Sequence, residues 1–306
     1  MTRPGPQPAP SRHPARLTVG VVGAGRVGGV LGAALARAGH EVVAVSAVSE
    51  ASRERAERLL PGVPVRPVTE VVEAAELVLL AVPDDALADL VNGLAATGAL
   101  QAGQILVHTS GAHGAAVLSP ALAHHGLPLA LHPAMTFTGT AVDLDRLVGC
   151  CFGVTCDPAL RPIAEGLVLE LGGEPVWVAE VDRARYHAAL AHGANHLVTI
   201  IAQALQVLGS AGVEHPDRVL RPLVTAALDN ALRAGDGALT GPVARGDAGT
   251  VAEHLRQLGS ETPDVRPTYA ALARATAERA VADGRLRAAQ AEPVLELLEQ
   301  EPGARE

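Results

Sequence analysis

The feature that most constrains this chain is a glycine-spaced turn set between an apolar run and a helix of small residues. Residues 17–22 are almost continuously apolar, as a strand buried on both faces must be. They run into Gly23-Ala24-Gly25-Arg26-Val27-Gly28, and a helical pattern then continues to Ala38, where Gly39 stops it. In such a turn Gly23 permits the tight bend, Gly25 lets backbone approach a ligand, and Gly28 lets the helix pack close to the strand. The start of the helix offers free N–H groups and the positive end of a dipole, which suit a phosphate. A strand before the turn, a helix after it and a second strand at residues 41–46 together point to a dinucleotide pyrophosphate as the ligand.

Strand and helix patterns keep alternating beyond this point. Strands are expected at residues 77–82, 104–108, 128–131, 151–155 and 175–178, and helices at 49–60, 69–75, 86–94 and 158–171. That alternation predicts βαβ units and a parallel sheet. From residue 181 the pattern becomes helical throughout, with segments at 182–211, 216–234, 247–258 and 266–283. The fold class that follows is α/β: an N-terminal doubly wound parallel sheet of the Rossmann type, then an all-α C-terminal domain. The domains read as a disordered leader at 1–14, a dinucleotide-binding domain at 15–180 and a helical domain at 181–306, with a frayed tail at 302–306.

The 306-residue chain is long enough for two cores, and its net charge of −9 with no local basic patch argues against nucleic acid and anionic membranes as partners. Aromatic residues make up only 2%, too few for a base-stacking platform. The three cysteines, Cys150, Cys151 and Cys156, lack metal-ligand spacing and read as small buried residues on a strand in a reducing compartment, so no metal site is expected. The leader lacks the apolar core of a secretory signal, no apolar run is long enough to span a bilayer, and the cytoplasm is the default location.

Cofactor choice is read where the second strand ends. No acid stands at that point. Ser46, Ser49 and Arg53 would suit a 2′-phosphate, whereas Glu50 argues for the ribose diol of NAD, and the balance favours NADP over NAD. Gly23, Gly25, Arg26, Val27 and Gly28 contact the cofactor on this reading, with Val82 and Pro83 closing the flanking strand. Asp84 after that proline is either part of the cleft or a helix cap.

These residues carry a family resemblance. The stretches Val22-Gly23-Ala24-Gly25-Arg26-Val27-Gly28, Ala81-Val82-Pro83-Asp84, His108-Thr109-Ser110-Gly111 and Leu131-His132-Pro133 with Thr136-Phe137 belong to it. So do Tyr186-His187-Ala188-Ala189 with Asn195, and Ala238-Leu239-Thr240-Gly241-Pro242-Val243-Ala244-Arg245-Gly246-Asp247. The chain resembles oxidoreductase-like proteins that pair a Rossmann-like domain with a DUF2520 domain. These lie within the wider group of 6-phosphogluconate dehydrogenase, ketopantoate reductase and pyrroline-5-carboxylate reductase. The resemblance implies the fold and the cofactor class, and it leaves the substrate open. Several relatives carry a lysine four residues before the asparagine that Asn195 matches. Here that position is Ala191, and all 24 basic residues of the chain are arginine. Lysine-dependent proton transfer therefore does not carry over.

Hydride transfer to C=O or C=N needs a proton donor at the acceptor heteroatom. Without lysine, His187 ranks first and His132 second, because an unperturbed imidazole titrates near neutral pH. Asn195 would hold the substrate heteroatom, and Ser110 would add a hydrogen bond. Thr240 and Arg245 are read as substrate-binding, although Arg245 has an equal claim as a fold staple to Asp229 or Asp247; Asp247 reads as a helix N-cap. The expected activity is reduction of a small carbonyl or imine compound in a cleft between the domains, in a homodimer formed through the helical domain. A catalytically inactive dinucleotide-binding regulator or scaffold is the alternative.

Overall fold

The computed structural model describes residues 16–299. The leader expected at 1–14 and the tail expected at 302–306 lie outside the described residues. The chain forms two compact units, one ending at Ala191 and the other beginning at His192.

The first unit is built on one seven-stranded sheet. Its strands are β1 (Thr18–Val22), β2 (Glu41–Ser46), β3 (Leu77–Leu80), β4 (Ile105–His108), β5 (Leu127–Pro133), β6 (Cys151–Cys156) and β7 (Glu174–Trp177), in the spatial order β2-β1-β3-β4-β5-β6-β7. Between them run α1 (Arg26–Arg37), α2 (Glu50–Leu59), α3 (Val68–Glu73), α4 (Asp84–Thr97), α5 (Val142–Arg146) and α6 (Arg161–Glu170), with a 3-10 segment at Ala115–His124. Strand alternation divides the core in two. Val19, Val21, Leu77, Leu79, Val107, Leu129, Leu131, Phe152 and Val154 pack on one side with residues of α1 and α6. Val22, Val78, Leu80 and Leu106 pack on the other with residues of α3 and α4. Both faces are thus covered, which explains why β1, β3 and β4 read as unbroken apolar runs.

The sheet is not wholly parallel, which corrects the sequence-based expectation. β1 to β5 are parallel, but β6 pairs antiparallel with β5, and β7 runs parallel to β6. A parallel return needs a crossover long enough to traverse a sheet face, usually a full helix. The segment after β5 holds only the five-residue α5 and a loop tied to it, so β6 turns back instead. The strand order reverses at β1, whose neighbours are β2 and β3, and the carboxyl ends of β1 and β3 flank that switch point.

The helical region contains α7 (Arg183–Ser210), α8 (Pro216–Ala234), α9 (Gly241–Arg245), α10 (Ala248–Glu261), α11 (Arg266–Ala282) and α12 (Ala288–Glu299). α9 and α12 have no counterpart in the sequence reading. Within the second unit, Val243, Val251, Leu255, Ala270, Ala273, Ala277, Val294 and Leu298 form the main core. The division between units falls inside α7, later than the change of pattern at residue 180, because Arg183 at the head of α7 is buried and bonded to β5 and β6. Among the described residues, no helix is long and apolar enough to cross a membrane.

Candidate functional site

The turn after β1 is shaped by backbone contacts. Gly23 adopts φ +94°, and a Cβ there would fall 2.6 Å from the carbonyl oxygen of Ala81 and 3.5 Å from Val82 Cγ1. A Cβ on Gly28 would collide with the carbonyl oxygen of Gly23, so α1 can start this close to β1 only with glycine. Above Gly25 the space is open, with no atom within 4 Å of the place a Cβ would take. Gly25 is also the N-cap of α1, and no side chain caps the helix. The first amides of α1 are left to a ligand or to water. The open cradle, the uncapped helix start and the switch point together fit a dinucleotide pyrophosphate.

Ser46 has a different task from the one expected of it. It is buried, its Oγ accepts from the N–H of Gly23 at 3.0 Å, and its carbonyl accepts from the N–H of Ala24 at 2.9 Å. It therefore fixes the turn rather than receiving a 2′-phosphate. Ser49 caps α2, accepting from the N–H of Ser52 at 3.2 Å, and Arg53 is exposed. Sequence reasoning missed Arg55, whose guanidinium reaches the Ala24 carbonyl at 3.2 Å. Its only sequence signal was a position two residues beyond Arg53. Pro83 is the N-cap of α4, and Asp84 is that helix's first residue rather than its cap.

The carboxyl ends of β4 and β5 meet a second group of side chains. His108 is fully buried; its Nε2 lies 2.8 Å from the Gly114 carbonyl, and its Nδ1 accepts from the N–H of Ser110 at 3.2 Å. Ser110 Oγ accepts from the amides of Ala112 and His113, so its hydroxyl shapes this loop. His132 Nδ1 lies 3.0 Å from the hydroxyl of Tyr186, and the rings of His132 and His187 stand edge to face at 6.2 Å. Gly111 makes the room: a Cβ there would lie 2.7 Å from His187 Cδ2 and 2.9 Å from His132 Nε2.

Arg183 supplies the electrostatics of this group. Only 1% of it is exposed. It donates from Nε to Thr155 Oγ1 at 2.7 Å and from one terminal nitrogen to the carbonyls of Ala130 and Gly153, while the other terminal nitrogen is buried without a partner. Its guanidinium sits 5.7 Å from the centre of the Tyr186 ring. Burial first, and then the charge of Arg183, push His132 down to about 4. Burial, with Arg183 again adding to it, pushes His108 down to about 4 as well, against the hydrogen bond to Gly114. Both rings are neutral at neutral pH. The expectation for His132 rested on an unperturbed imidazole, which burial and the neighbouring Arg183 change. Burial raises the Tyr186 phenol and Arg183 opposes the rise. Neither Tyr186 nor Arg183 was singled out as a site residue beforehand; Tyr186 was visible only as part of a family motif.

The remaining expected residues lie in the second unit. Asn195 is exposed on α7. Thr240 is the N-cap of α9, and Arg245 is its exposed last residue. Neither staple proposed for Arg245 forms: Asp229 pairs with Arg233, and Asp247 caps α10, accepting from the N–H of Thr250 at 3.1 Å. Of the cysteines, Cys150 is buried and Cys151 is exposed, so the expectation of three small buried strand residues holds only in part.

Comparison with known proteins agrees with this architecture. A Rossmann-like domain matches residues 1–133, and the domain of unknown function DUF2520 matches residues 150–276. The chain is a Rossmann-like, DUF2520 protein. No curated protein matches it. Among solved structures, the Rossmann-like, DUF2520 protein is similar to a Bacteroides fragilis protein provisionally described as an NADP oxidoreductase. That match has a TM-score of 0.73 and 23% identity, covering 86% of this chain and 98% of the other. An imine reductase from a Pseudomonas species matches with a TM-score of 0.62 and 19% identity, covering 89% and 99% of the two chains. An imine reductase from Myxococcus stipitatus, solved with NADP+, matches with a TM-score of 0.60 and 19% identity, covering 88% and 95%. At these identities the likeness establishes the fold.

The neutral histidines give this Rossmann-like, DUF2520 protein a defined acid response. Their folded pKa of about 4 lies below the ordinary 6.5, so the unfolded chain binds more protons between those values. Stability is full above pH 6.5 and falls as the pH drops toward 4. Thermal unfolding measured across pH 4–7 should show that fall, and His132→Gln should make it shallower. An unchanged slope in the variant would contradict the assignment.

Proposed function

We propose that this protein is an NAD(P)-dependent oxidoreductase that reduces a small carbonyl or imine compound, with NADP favoured over NAD. The observation that carries the reading is the uncapped, glycine-opened start of α1 at the point where the strand order reverses. The fold likeness to imine reductases, one of them solved with NADP+, supports it.

The cofactor, when bound, supplies the hydride. The amides of Arg26, Val27 and Gly28 would hold its pyrophosphate. The proton is best supplied by Tyr186 rather than by His187 or His132. Burial raises the phenol, which is protonated at neutral pH, and His132 protonated at Nδ1 would donate to the phenol oxygen 3.0 Å away, leaving the phenol's own proton free for the substrate. Positive charge at Arg183 favours the phenolate left after the proton has gone to the substrate heteroatom. NADPH oxidation screened over 2-keto acids and cyclic imines tests the activity. In an active pairing, Tyr186→Phe should lower kcat by about a hundredfold with dinucleotide affinity unchanged. Loss of less than about threefold would remove Tyr186 from the chemistry.

One observation favours the second reading, a dinucleotide-binding regulator or scaffold without catalysis: Ala191 stands where related enzymes carry lysine. Saturable NADPH binding with no turnover across that panel would support it.

A homodimer through the helical region also belongs to this proposal. α8 has no buried residue, and Val219, Leu223 and Leu232 are 54%, 66% and 80% exposed along it. An apolar groove of about 500 Å³ adjoins that helix, lined by Ile200, Val207, Leu223 and Tyr269 among others. Exposure on this scale in one amphipathic helix signals a partner surface. Light scattering should give twice the chain's mass, and Leu223→Glu with Leu232→Glu should give monomers. A monomeric wild type would refute the dimer.

A further inference from the structure

Two histidines of α7 face each other and take no part in the site described above. His192 and His196 stand one helical turn apart, at the spacing that puts both side chains on one face. Their Nδ1 atoms lie 2.9 Å apart, and the rings meet edge to face with centroids 5.0 Å apart. Both residues are exposed. The approach to them is clear. Ala188, a turn before His192, is small, and beyond its own turn of helix no atom lies within 4 Å of the place a Cβ on Gly193 would take. Among the described residues, no third His, Cys, Asp or Glu completes a metal-binding group with the pair. The second unit begins at His192, so the pair occupies that unit's first turn.

We infer that His192 and His196 form a two-armed binding site for a divalent first-row transition-metal ion, Cu2+ or Ni2+ foremost. The inference is independent of the dinucleotide reading above. Two nitrogen ligands at about 2.0–2.1 Å from a shared ion stand about 2.9 Å apart at a right angle and about 3.3 Å apart at the tetrahedral angle. The separation here is the first of these, the spacing of neighbouring ligands in the tetragonal geometry that Cu2+ and Ni2+ favour. Imidazole suits both ions, and histidines at this spacing on one helix face chelate zinc in H-E-x-x-H helices. Without an ion, one ring can donate its Nδ1–H to the other, but a hydrogen bond between two exposed groups competes with water and contributes little. When the ion enters, that ring carries its proton on Nε2 instead, and both Nδ1 lone pairs face the metal. Water fills the remaining positions, so the site is open and its ion exchangeable. The expectation of no metal site was drawn from the cysteines, and the histidine spacing is a separate signal.

Calorimetric titration of the untagged full chain with Ni2+ tests the site, together with electron paramagnetic resonance at up to one equivalent of Cu2+. Both use a Cys151→Ser background, which removes the exposed thiol as a rival ligand and reductant. One ion per chain should bind, the Cu2+ spectrum should show two imidazole nitrogens, and Mg2+, which takes oxygen ligands, should give no heat. His192→Gln and His196→Gln should each weaken Ni2+ binding at least about tenfold, because a chelate loses its advantage with either arm. Without metal, both variants should unfold at the parent's temperature, since the two side chains are exposed. Ni2+ should raise that temperature in the parent and not in the variants. His215→Gln, an exposed histidine ahead of α8, should leave Ni2+ binding unchanged. Affinity within about twofold of the parent in both pair variants would overturn the site. So would a Cu2+ spectrum with a single nitrogen, or no saturable uptake of either ion.

Discussion

The nucleotide-facing end of the sheet depends on one steric constraint, the approach of Gly28 to the backbone of Gly23. Any Cβ at residue 28 would strike that carbonyl, and any at residue 23 would strike the carbonyl of Ala81. Glycine at both positions lets β1, β3 and the start of α1 converge without intervening side chains. Ser46 then ties β2 into the same knot through its hydroxyl and carbonyl. These contacts fix the switch point and leave the first amides of α1 and the open side of Gly25 to a ligand or to water. On the proposed reading, phosphate binding would follow from that backbone arrangement, in a chain whose net charge is −9.

A second constraint acts at the ends of β4 and β5. Arg183 is buried with hydrogen bonds to carbonyls and a hydroxyl and, among the described residues, no carboxylate within ion-pair distance. Burial first, and then this positive charge, hold the neighbouring imidazoles neutral, and the charge opposes the rise that burial gives the phenol. The consequence is a division of labour. His108 organises the loop after β4, His132 lies against the Tyr186 hydroxyl, and on the proposed reading Tyr186 would supply the proton.

Much of this architecture was legible in the sequence, and the failures have identifiable causes. The apolar runs of β1, β3 and β4 announced strands buried on both faces, and the glycine spacing announced the turn. Serine and aspartate caps at Ser49 and Asp247 were read correctly because capping is local chemistry. The antiparallel β6 was missed because local pattern carries no strand direction; direction depends on what the connecting segment can span. Ser46 was assigned to a phosphate because a serine at a strand end looks available until a backbone amide 23 residues earlier is seen to occupy it. Arg55, Arg183 and Tyr186 escaped notice for the same reason: their roles arise from contacts between residues far apart in the chain. His132 was ranked by its ordinary pKa, which does not survive burial beside a second buried charge, Arg183.

The central claim is that the amides opened by glycine at the head of α1 grip a dinucleotide. Titration of isotopically labelled protein with NADP+, followed by amide resonances, tests it most directly. Saturable shifts should be largest at Gly25, Arg26, Val27 and Gly28, with smaller ones at Gly23 and Ala24. Saturable binding whose largest shifts fall elsewhere, or no saturation at all, would contradict it.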